Sequence, residues 1–255
     1  MRATYLRETI VDRRTFLKMG VATAVGTVGV SAAVQRIELE AAPMPEGQAA
    51  SSKNRWGIVI DLDKCSRGCN ACADACRTEN NVAFYGDPKI DNYWIRVVTF
   101  KNPVPDAQER QIPLLCNHCE YAPCAHVCPV AATFKRADGV TMIDKHRCIG
   151  CRYCVIACPY KARMFVFKHT EEWENPAFPI RMHGVADGCD LCVHRIDRGE
   201  QPACVQACAD HDHGAMTFGD LKDPTSTVAQ QVATSRAQVL RPDLGLKPAV
   251  YYLGL

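Results

Sequence analysis

Four cysteines and a proline stand close together in one segment, Cys148-Ile149-Gly150-Cys151-Arg152-Tyr153-Cys154-Val155-Ile156-Ala157-Cys158-Pro159. Their spacing is C-x2-C-x2-C-x3-C, and we call them the third group. Three more groups of four lie on either side, and the groups together account for all 16 cysteines of the 255-residue chain. The first group is Cys65, Cys69, Cys72 and Cys76, the second is Cys116, Cys119, Cys124 and Cys128, and the fourth is Cys189, Cys192, Cys204 and Cys208.

The spacing of the third group is typical of bacterial ferredoxins. In that pattern three closely spaced thiolates bind three irons of one 4Fe–4S cluster, and the fourth thiolate binds a second cluster. A short loop reaches three corners of a cube only if its backbone turns tightly, which Gly150 permits. Soft thiolates are also the ligands that iron–sulfur clusters prefer. The third group therefore predicts iron–sulfur clusters.

An internal repeat extends this prediction to the whole chain. Ile60-Asp61 and Ile143-Asp144 both place the Asp four residues before the first cysteine of a group. Each pair ends a short apolar run, residues 58–60 or 140–143, that predicts a strand. The second and fourth groups share a different pattern, a C-x2-C pair, a proline-containing spacer and a C-x3-C pair. We therefore predict an α+β fold of two ferredoxin-like units with loop insertions, each holding two clusters.

Other uses of these cysteines remain open from the residues alone. A disulfide scaffold also has an even cysteine count, although such scaffolds are mostly short chains. Four structural zinc sites could each use four cysteines, but zinc does not require the x2-x2-x3-Pro run. The C-x3-C-x2-C of the first group also occurs in radical S-adenosylmethionine enzymes, which usually have an aromatic residue where this chain has Ala71 and which need a large barrel. We favour iron–sulfur clusters.

The N-terminal segment is similar to a twin-arginine export signal. Arg13-Arg14 precede an uncharged, mildly apolar run over residues 19–34, which ends in small residues at Ser31-Ala32-Ala33. Such a signal is read by a receptor as an address. The run has 16 residues, fewer than the roughly 18–20 strongly apolar residues of a spanning helix, and a retained membrane anchor is the alternative. The twin-arginine route exports folded proteins, which suits a protein that receives its clusters in the cytoplasm.

Charge and motifs exclude several other functions. The net charge is +2, and residues 1–42 account for all of it with six basic and four acidic groups. The remainder is balanced, so we expect no nucleic-acid partner. The sequence contains no glycine-rich phosphate loop and no recognisable catalytic triad or carboxylate pair. From the residues alone we therefore predict a protein that carries electrons and has no evident substrate site of its own.

Four cysteine groups in this order, after a twin-arginine signal, resemble the four-cluster iron–sulfur subunits of the dimethylsulfoxide/polysulfide reductase superfamily. Within it, the exported branch is the most similar, and above all the periplasmic, DsrO-type subunits of dissimilatory sulfite-reduction membrane complexes. This finer resemblance is carried by three phrases, Cys116-Asn117-His118-Cys119, His146-Arg147-Cys148-Ile149-Gly150-Cys151-Arg152-Tyr153-Cys154 and Lys247-Pro248-Ala249-Val250-Tyr251-Tyr252.

The resemblance implies how the cysteines share four 4Fe–4S clusters. The first and fourth groups would form an outer unit from residues 55–110 and 185–220, and the second and third an inner unit from residues 111–184. Residues 1–42 would be the signal or anchor with its linker, and residues 221–255 an extension packing on a partner. The four ligand sets are set A (Cys65, Cys69, Cys72 and Cys208), set B (Cys76, Cys189, Cys192 and Cys204), set C (Cys116, Cys119, Cys124 and Cys158) and set D (Cys128, Cys148, Cys151 and Cys154).

The resemblance also implies partners and a location. The chain would be a non-catalytic electron-transfer subunit of an oxidoreductase complex. It would relay electrons between a quinone-interacting integral membrane subunit and a redox partner such as a multihaem cytochrome c, on the periplasmic side of the cytoplasmic membrane. In the alternative interpretation it would serve an exported molybdopterin subunit that acts on polysulfide, tetrathionate, nitrite or arsenic compounds.

The sequence departs from the family pattern in two places. The first group has one residue more than the third between its first two cysteines. After Cys208 the usual proline is Ala209. Aligning Ala215-Met216-Thr217-Phe218 with Ala162-Arg163-Met164-Phe165 then indicates about three inserted residues, among them His211 and His213.

Overall fold

The structure is a computed structural model that describes residues 50–100, 109–169, 174–178, 182–211 and 214–255. The predicted signal and anchor, residues 1–42, and His213 lie outside these ranges. The strands are β1 (Trp56–Asp61), β2 (Arg96–Phe100), β3 (Arg110–Leu114), β4 (Thr133–Lys135), β5 (Thr141–Ile143), β6 (Met164–Phe165), β7 (Ala186–Asp187), β8 (Met216–Asp220) and β9 (Val250–Leu253). The helices are α1 (Ala71–Asn80), α2 (Pro123–His126), α3 (Tyr153–Ala157), α4 (Val193–Ile196), α5 (Ala203–Asp210) and α6 (Thr227–Thr234), with one 3-10 turn at Pro242–Leu244.

A three-stranded sheet of order β8-β1-β9 forms one half of the described fold. The central strand β1 is antiparallel to β8 and parallel to β9. Its middle residues, Gly57 to Ile60, are all buried, as expected for a central strand covered on both faces. Helices α1 and α5 pack against each other, and α6 packs on β8. Helix α6 begins at a hydroxyl cap, where Ser226 Oγ accepts the Ala229 N–H at 3.2 Å.

The other half contains three two-stranded antiparallel ladders, β2-β3, β4-β5 and β6-β7. The short helices α2 and α3 pack against each other, and α2 also contacts β4. A fully buried side chain ties this half to the sheet, because Tyr252 in β9 donates its hydroxyl proton to the Pro113 carbonyl at 2.9 Å. The fold class is therefore α+β, with small helices and sheets.

Both strands predicted from the Ile-Asp repeat are confirmed, since they are β1 and β5. Between the first two groups, the aromatic and β-branched stretch from Tyr93 to Phe100 predicts a further strand. This predicted strand is too long, because β2 begins only at Arg96. Trp94 and Ile95 both turn into the core before it, and Trp94 Nε1 donates to Asp187 Oδ2 at 3.0 Å. Two buried neighbours do not fit the alternation of a strand with one solvated face.

The C-terminal extension, residues 221–255, packs in part on its own chain. Strand β9 completes the sheet, and Val228 of α6 is fully buried. The contact with a partner that we expect of this extension stays a prediction. No helix within the described ranges is long and apolar enough to cross a bilayer.

Candidate iron–sulfur sites

All sixteen cysteines lie in the described residues, and all carry free thiols. Eleven are buried, four are half-buried, and Cys151 is exposed. Free, largely buried sulfurs are what a set of thiolate ligands requires, whereas a disulfide scaffold would join them in pairs.

The packing of α1 against α5 brings the sulfurs of set A together. Cys72 lies in the first turn of α1, and Cys208 lies near the end of α5. Burial, then Cys208 and Cys65, raise the pKa of the Cys72 thiol to about 12. All four members line one cavity, which is closed by the apolar side chains of Ile60, Pro113 and Met216.

The extra residue of the first group is accommodated by a turn. The Cys69 N–H donates to the Ser66 carbonyl at 3.3 Å, and Gly68 has φ +76°, a value that favours glycine. Gly150 of the third group has φ +69°, and a Cβ there would lie 2.3 Å from the Gly184 carbonyl oxygen. The tight turn predicted at Gly150 is therefore confirmed.

Every cysteine of set B is buried, with Cys76 in α1, Cys204 in α5, and Cys189 and Cys192 in the loop before α4. Burial, then the neighbouring Cys189, Cys204 and Cys192, raise the pKa of Cys76. The fully buried Asn80, one turn after Cys76, aims its amide nitrogen at this set. Asn80 Nδ2 lies 3.5 Å from Cys192 Sγ and 3.8 Å from Cys76 Sγ.

Set C is also completely buried, in the half that contains α2 and α3. Cys116 and Cys119 lie in the loop after β3, Cys124 lies in α2, and Cys158 directly follows α3. Burial, then Cys116, Cys124 and Cys158, raise the pKa of Cys119 to about 12.

Set D lies closest to the surface. Cys148 and Cys154 interact electrostatically, and the Thr133 hydroxyl bonds to both Cys154 and Cys128. Cys151 is exposed at the start of α3, and its place in this set stays the prediction made from the resemblance. Three apolar residues close to it in the chain, Ile149, Tyr153 and Ile156, are also exposed.

Cysteines of neighbouring sets lie close enough to raise one another's pKa, and these pairs give the order of the sets. Cys72 of set A raises the pKa of Cys204 of set B, and Cys116 of set C raises the pKa of Cys189 of set B. Cys124 of set C raises the pKa of Cys154 of set D. The sequence of neighbours is therefore A, B, C and D.

Backbone amides point at several sulfurs, which is the environment of a thiolate ligand. Cys128 Sγ accepts the Ala132 N–H at 3.2 Å and the Thr133 N–H at 3.4 Å. Three further sulfurs each accept one backbone N–H at 3.4 Å, namely those of Cys148, Cys158 and Cys189.

The four sets fit iron–sulfur clusters by donor chemistry, by burial and by the cavity of set A. In the part of the chain that the structure describes, no three His, Cys, Asp or Glu side chains lie close enough together to hold a single metal ion. A four-iron cluster is larger than one ion, and its cysteines bind at separate corners. When bound, such a cluster accepts and releases one electron.

The charges around the two buried sets differ in sign. Asp190 raises the pKa of Cys76, Cys189 and Cys192, after the larger effect of burial. Set C instead has Arg163, whose charge lowers the pKa of Cys116 against the larger effect of burial. Lys135 contributes a second nearby cation, and its Nζ donates to the Cys119 carbonyl.

His118, between the first two cysteines of the second group, is held as a neutral side chain. Burial, then Arg163, Lys135 and Arg55, lower its pKa to about 3. Its Nδ1 accepts the Thr141 N–H at 3.0 Å, so Nε2 carries the ring proton. His126 of the same group is exposed.

Three residues that contact the sulfurs were missed by sequence reasoning, namely Asn80, Thr133 and Arg163. Arg152 within the third group and Lys161 just after it are exposed instead. The internal repeat contains one signal that could have identified Arg163. The aligned position in the other half holds the uncharged Met216, so the charge of Arg163 departs from the repeat.

The fold and the sulfur sets define a ferredoxin-like protein of the 4Fe–4S class. Residues 108–221 match a family described as a 4Fe-4S dicluster domain. The chain is 39% identical to the Hdr-like menaquinol oxidoreductase iron-sulfur subunit 1 of Archaeoglobus fulgidus, over 96% of this chain and 99% of that protein. It is 37% identical to a subunit of tetrathionate reductase from Salmonella typhimurium, over 96% and 88%. It is 35% identical to the iron-sulfur cluster-binding subunit of menaquinone reductase from Nitratidesulfovibrio vulgaris, over 79% and 89%.

The chain belongs to the dimethylsulfoxide reductase-type family of iron–sulfur electron-transfer subunits. The family resemblance stated from the cysteine pattern is thus confirmed. So is the prediction that this chain is an iron–sulfur protein for electron transfer.

Proposed function

We propose that this chain relays electrons through four 4Fe–4S clusters, held by sets A, B, C and D. The electrons would pass between a quinone-reactive integral membrane subunit and a redox partner such as a multihaem cytochrome c. The complex would be of the DsrO-containing, sulfur-metabolism type. The relatives named as a menaquinol oxidoreductase subunit and a menaquinone reductase subunit support a quinone-linked complex.

One observation carries this proposal: the exposure of the cysteines changes from one set to the next in the order A, B, C and D. Every cysteine of sets B and C is buried, whereas sets A and D each contain half-buried or exposed cysteines. The two ends of the order therefore reach the surface, and its middle is shielded from water. This arrangement suits a relay that exchanges electrons with one partner at each end.

The surfaces beside the two ends are suited to contact other proteins. Near set D, Ile156 is 75% exposed and Ile149 is 64% exposed, which is unusual for such apolar side chains. Near set A, an open pocket is lined by Cys65, Arg67 and Phe100. Both surfaces combine a nearby cysteine with apolar area.

A second function is favoured by a different relative. The similarity to the tetrathionate reductase subunit extends over 96% of this chain. In this alternative the chain serves an exported molybdopterin subunit that acts on polysulfide, tetrathionate, nitrite or arsenic compounds. The roles of the four sets would be unchanged, and only the partner at one end would differ.

Co-purification separates the two functions. A tag after Leu255 allows the complex to be extracted gently from native membranes, captured, and identified by mass spectrometry. A polytopic membrane subunit with a multihaem cytochrome supports the first function. A molybdopterin subunit supports the alternative. A brown monomer with neither partner contradicts the membrane-complex proposal.

The number of clusters is tested on the same material. Four complete clusters correspond to about sixteen irons for each chain. Iron well below about fourteen atoms per chain, in protein purified without oxygen, contradicts four complete clusters. Colourless protein containing zinc would show that the sites are zinc sites.

We also propose export by the twin-arginine route to the periplasmic side of the cytoplasmic membrane, because Arg13-Arg14 precede the uncharged run of residues 19–34. The test replaces both arginines with lysine, which keeps the charge and removes the pair that the receptor reads. The parent chain should be accessible to protease outside the cytoplasmic membrane, and the variant should stay inside. Equal accessibility of both chains contradicts this route.

A further inference from the structure

The two terminal nitrogens of the Arg163 side chain are buried and, among the described residues, meet no protein oxygen that accepts a hydrogen bond. Arg163 is 2% exposed and lies in the segment between Cys158 and β6. Among the described residues, neither Nη1 nor Nη2 makes a hydrogen bond of normal geometry. Leaving buried donors without an acceptor is costly, and the one partner indicated for this guanidinium within the described ranges is the sulfur of Cys124, so a ligand for the remaining donors is expected in the assembled protein.

The neighbours of Arg163 identify where that ligand lies. Burial alone would lower the pKa of Arg163, but Cys116, Cys124 and Cys154 raise it above its ordinary value. Cys116 and Cys124 belong to set C, and Cys154 belongs to set D. The guanidinium therefore lies within electrostatic reach of sulfurs from two adjacent sets.

Gly188 leaves space for this arrangement. A Cβ at Gly188 would lie 3.0 Å from Arg163 Nη1 and 2.8 Å from the Ala162 carbonyl oxygen. The backbone just before Cys189 therefore lies close against the guanidinium. Glycine at this position gives the cation a defined place beside the sulfurs.

We propose that Arg163 donates hydrogen bonds to the clusters of both set C and set D and holds their reduction potentials above the values they would otherwise have. This inference rests on the proposed assignment of four clusters to sets A to D, and it adds a residue that controls the energy of two of them. The donors would be Nη1 and Nη2, and the acceptors would be cluster or cysteine sulfurs.

The physical reason is the charge gained on reduction. Each electron that one cluster gains is lost by its neighbour, and it makes the reduced cluster more negative. A fixed cation and its hydrogen bonds stabilise that form more than the oxidised form, so the potential rises. Arginine stays protonated throughout, so it takes no proton from the electron step.

The other half of the molecule lacks this cation at the matching place. The repeat aligns Arg163 with Met216, which is buried beside set A. Set B is instead flanked by the carboxylate of Asp190 and by the neutral amide of Asn80. The geometry therefore raises the potentials of sets C and D relative to set B.

The test compares Arg163→Met and Arg163→Lys with the parent chain in the purified complex. Redox titration followed by electron paramagnetic resonance measures the midpoint potential of each cluster, and iron analysis confirms that four clusters are present. Methionine already occupies the position aligned with Arg163, as Met216 beside set A. Lysine keeps the charge and loses the planar fork of donors.

We expect Arg163→Met to lower two of the four potentials, those of sets C and D. The shift should be about tenfold in the reduction equilibrium, or ~59 mV for a one-electron couple. Arg163→Lys should lower the same two potentials by less. Cys151→Ser and Cys69→Ser, which change ligands of sets D and A, assign the signals at the two ends.

Arg198→Met is the control for loss of an arginine elsewhere. Arg198 is an exposed arginine whose Nε donates to Glu200 Oε1 at 2.8 Å, and its removal should leave all four potentials unchanged. Unchanged potentials in a fully loaded Arg163→Met protein would overturn the proposal, as would an equal shift in all four clusters. If Arg163→Met fails to hold its clusters, parental potentials in Arg163→Lys would overturn it. A parent chain with fewer than four clusters would count against the proposed function instead.

Discussion

Replacing Asn80 with leucine removes the only side-chain amide that we find directed at set B among the described residues. Asn80 is fully buried in the last turn of α1, and its Nδ2 also donates to the Cys76 carbonyl at 3.1 Å. Leucine has a similar volume and no donor. The variant should therefore keep the packing of the helix while removing the N–H···S contacts to Cys76 and Cys192.

The expected size of the effect follows from those contacts. A hydrogen bond to a charged group contributes about 1.5–3 kcal/mol, and the potential reports only the difference between the two redox states. The N···S distances of 3.5 and 3.8 Å indicate weak bonds. We therefore expect a difference of about 1 kcal/mol, which lowers the potential of set B by roughly 40 mV for a one-electron couple.

Redox titration followed by electron paramagnetic resonance measures this shift. The other three clusters of the same molecule serve as internal controls, because the change at Asn80 touches none of their cysteines. A set B potential within error of the parent would refute the role of the amide. A common shift of all four potentials would show that the substitution acts through the fold as a whole.

The remaining predictions concern stability and exposure. Tyr252→Phe removes the hydroxyl that binds the Pro113 carbonyl and should cost about 1 kcal/mol in anaerobic thermal unfolding; no change in Tm would contradict the bond. Asp187→Asn removes the charge that Lys145 Nζ contacts at 2.7 Å, and it should lower the free energy of unfolding by about 3 kcal/mol. The control Asp223→Asn, in an exposed turn, should lower it far less. Cys151 is the one exposed cysteine, so a chelator should remove iron from set D first; earlier loss from set B would contradict this.

The features that were predictable from the sequence depend on local chemistry. The cysteine spacings identified the class of cofactor because a cubic cluster needs ligands at fixed short intervals. The apolar runs before the first and third groups predicted β1 and β5, and Gly150 predicted its own turn. Each of these inferences uses residues that lie next to one another in the chain.

The residues that were missed depend on tertiary packing. Arg163 reads as an ordinary basic residue, and nothing in its neighbours along the chain indicates burial against two groups of cysteines. Asn80 lies in a helix where a polar residue is usually solvated, and it becomes buried only because α5 packs on α1. The strand over Tyr93 to Ile95 failed for the same reason, because the Trp94 side chain is drawn to Asp187.

The place of β1 in its sheet has a consequence for how the protein is made. Strand β1 leaves the ribosome before the other described strands, but both of its neighbours, β8 and β9, are translated after the six strands of the three ladders. The ladders β4-β5 and β6-β7 are translated between them and can form while synthesis continues. The nascent protein therefore has a half that can form early, and Ile58 and Ile60 stay without their sheet until β8 and β9 have been translated.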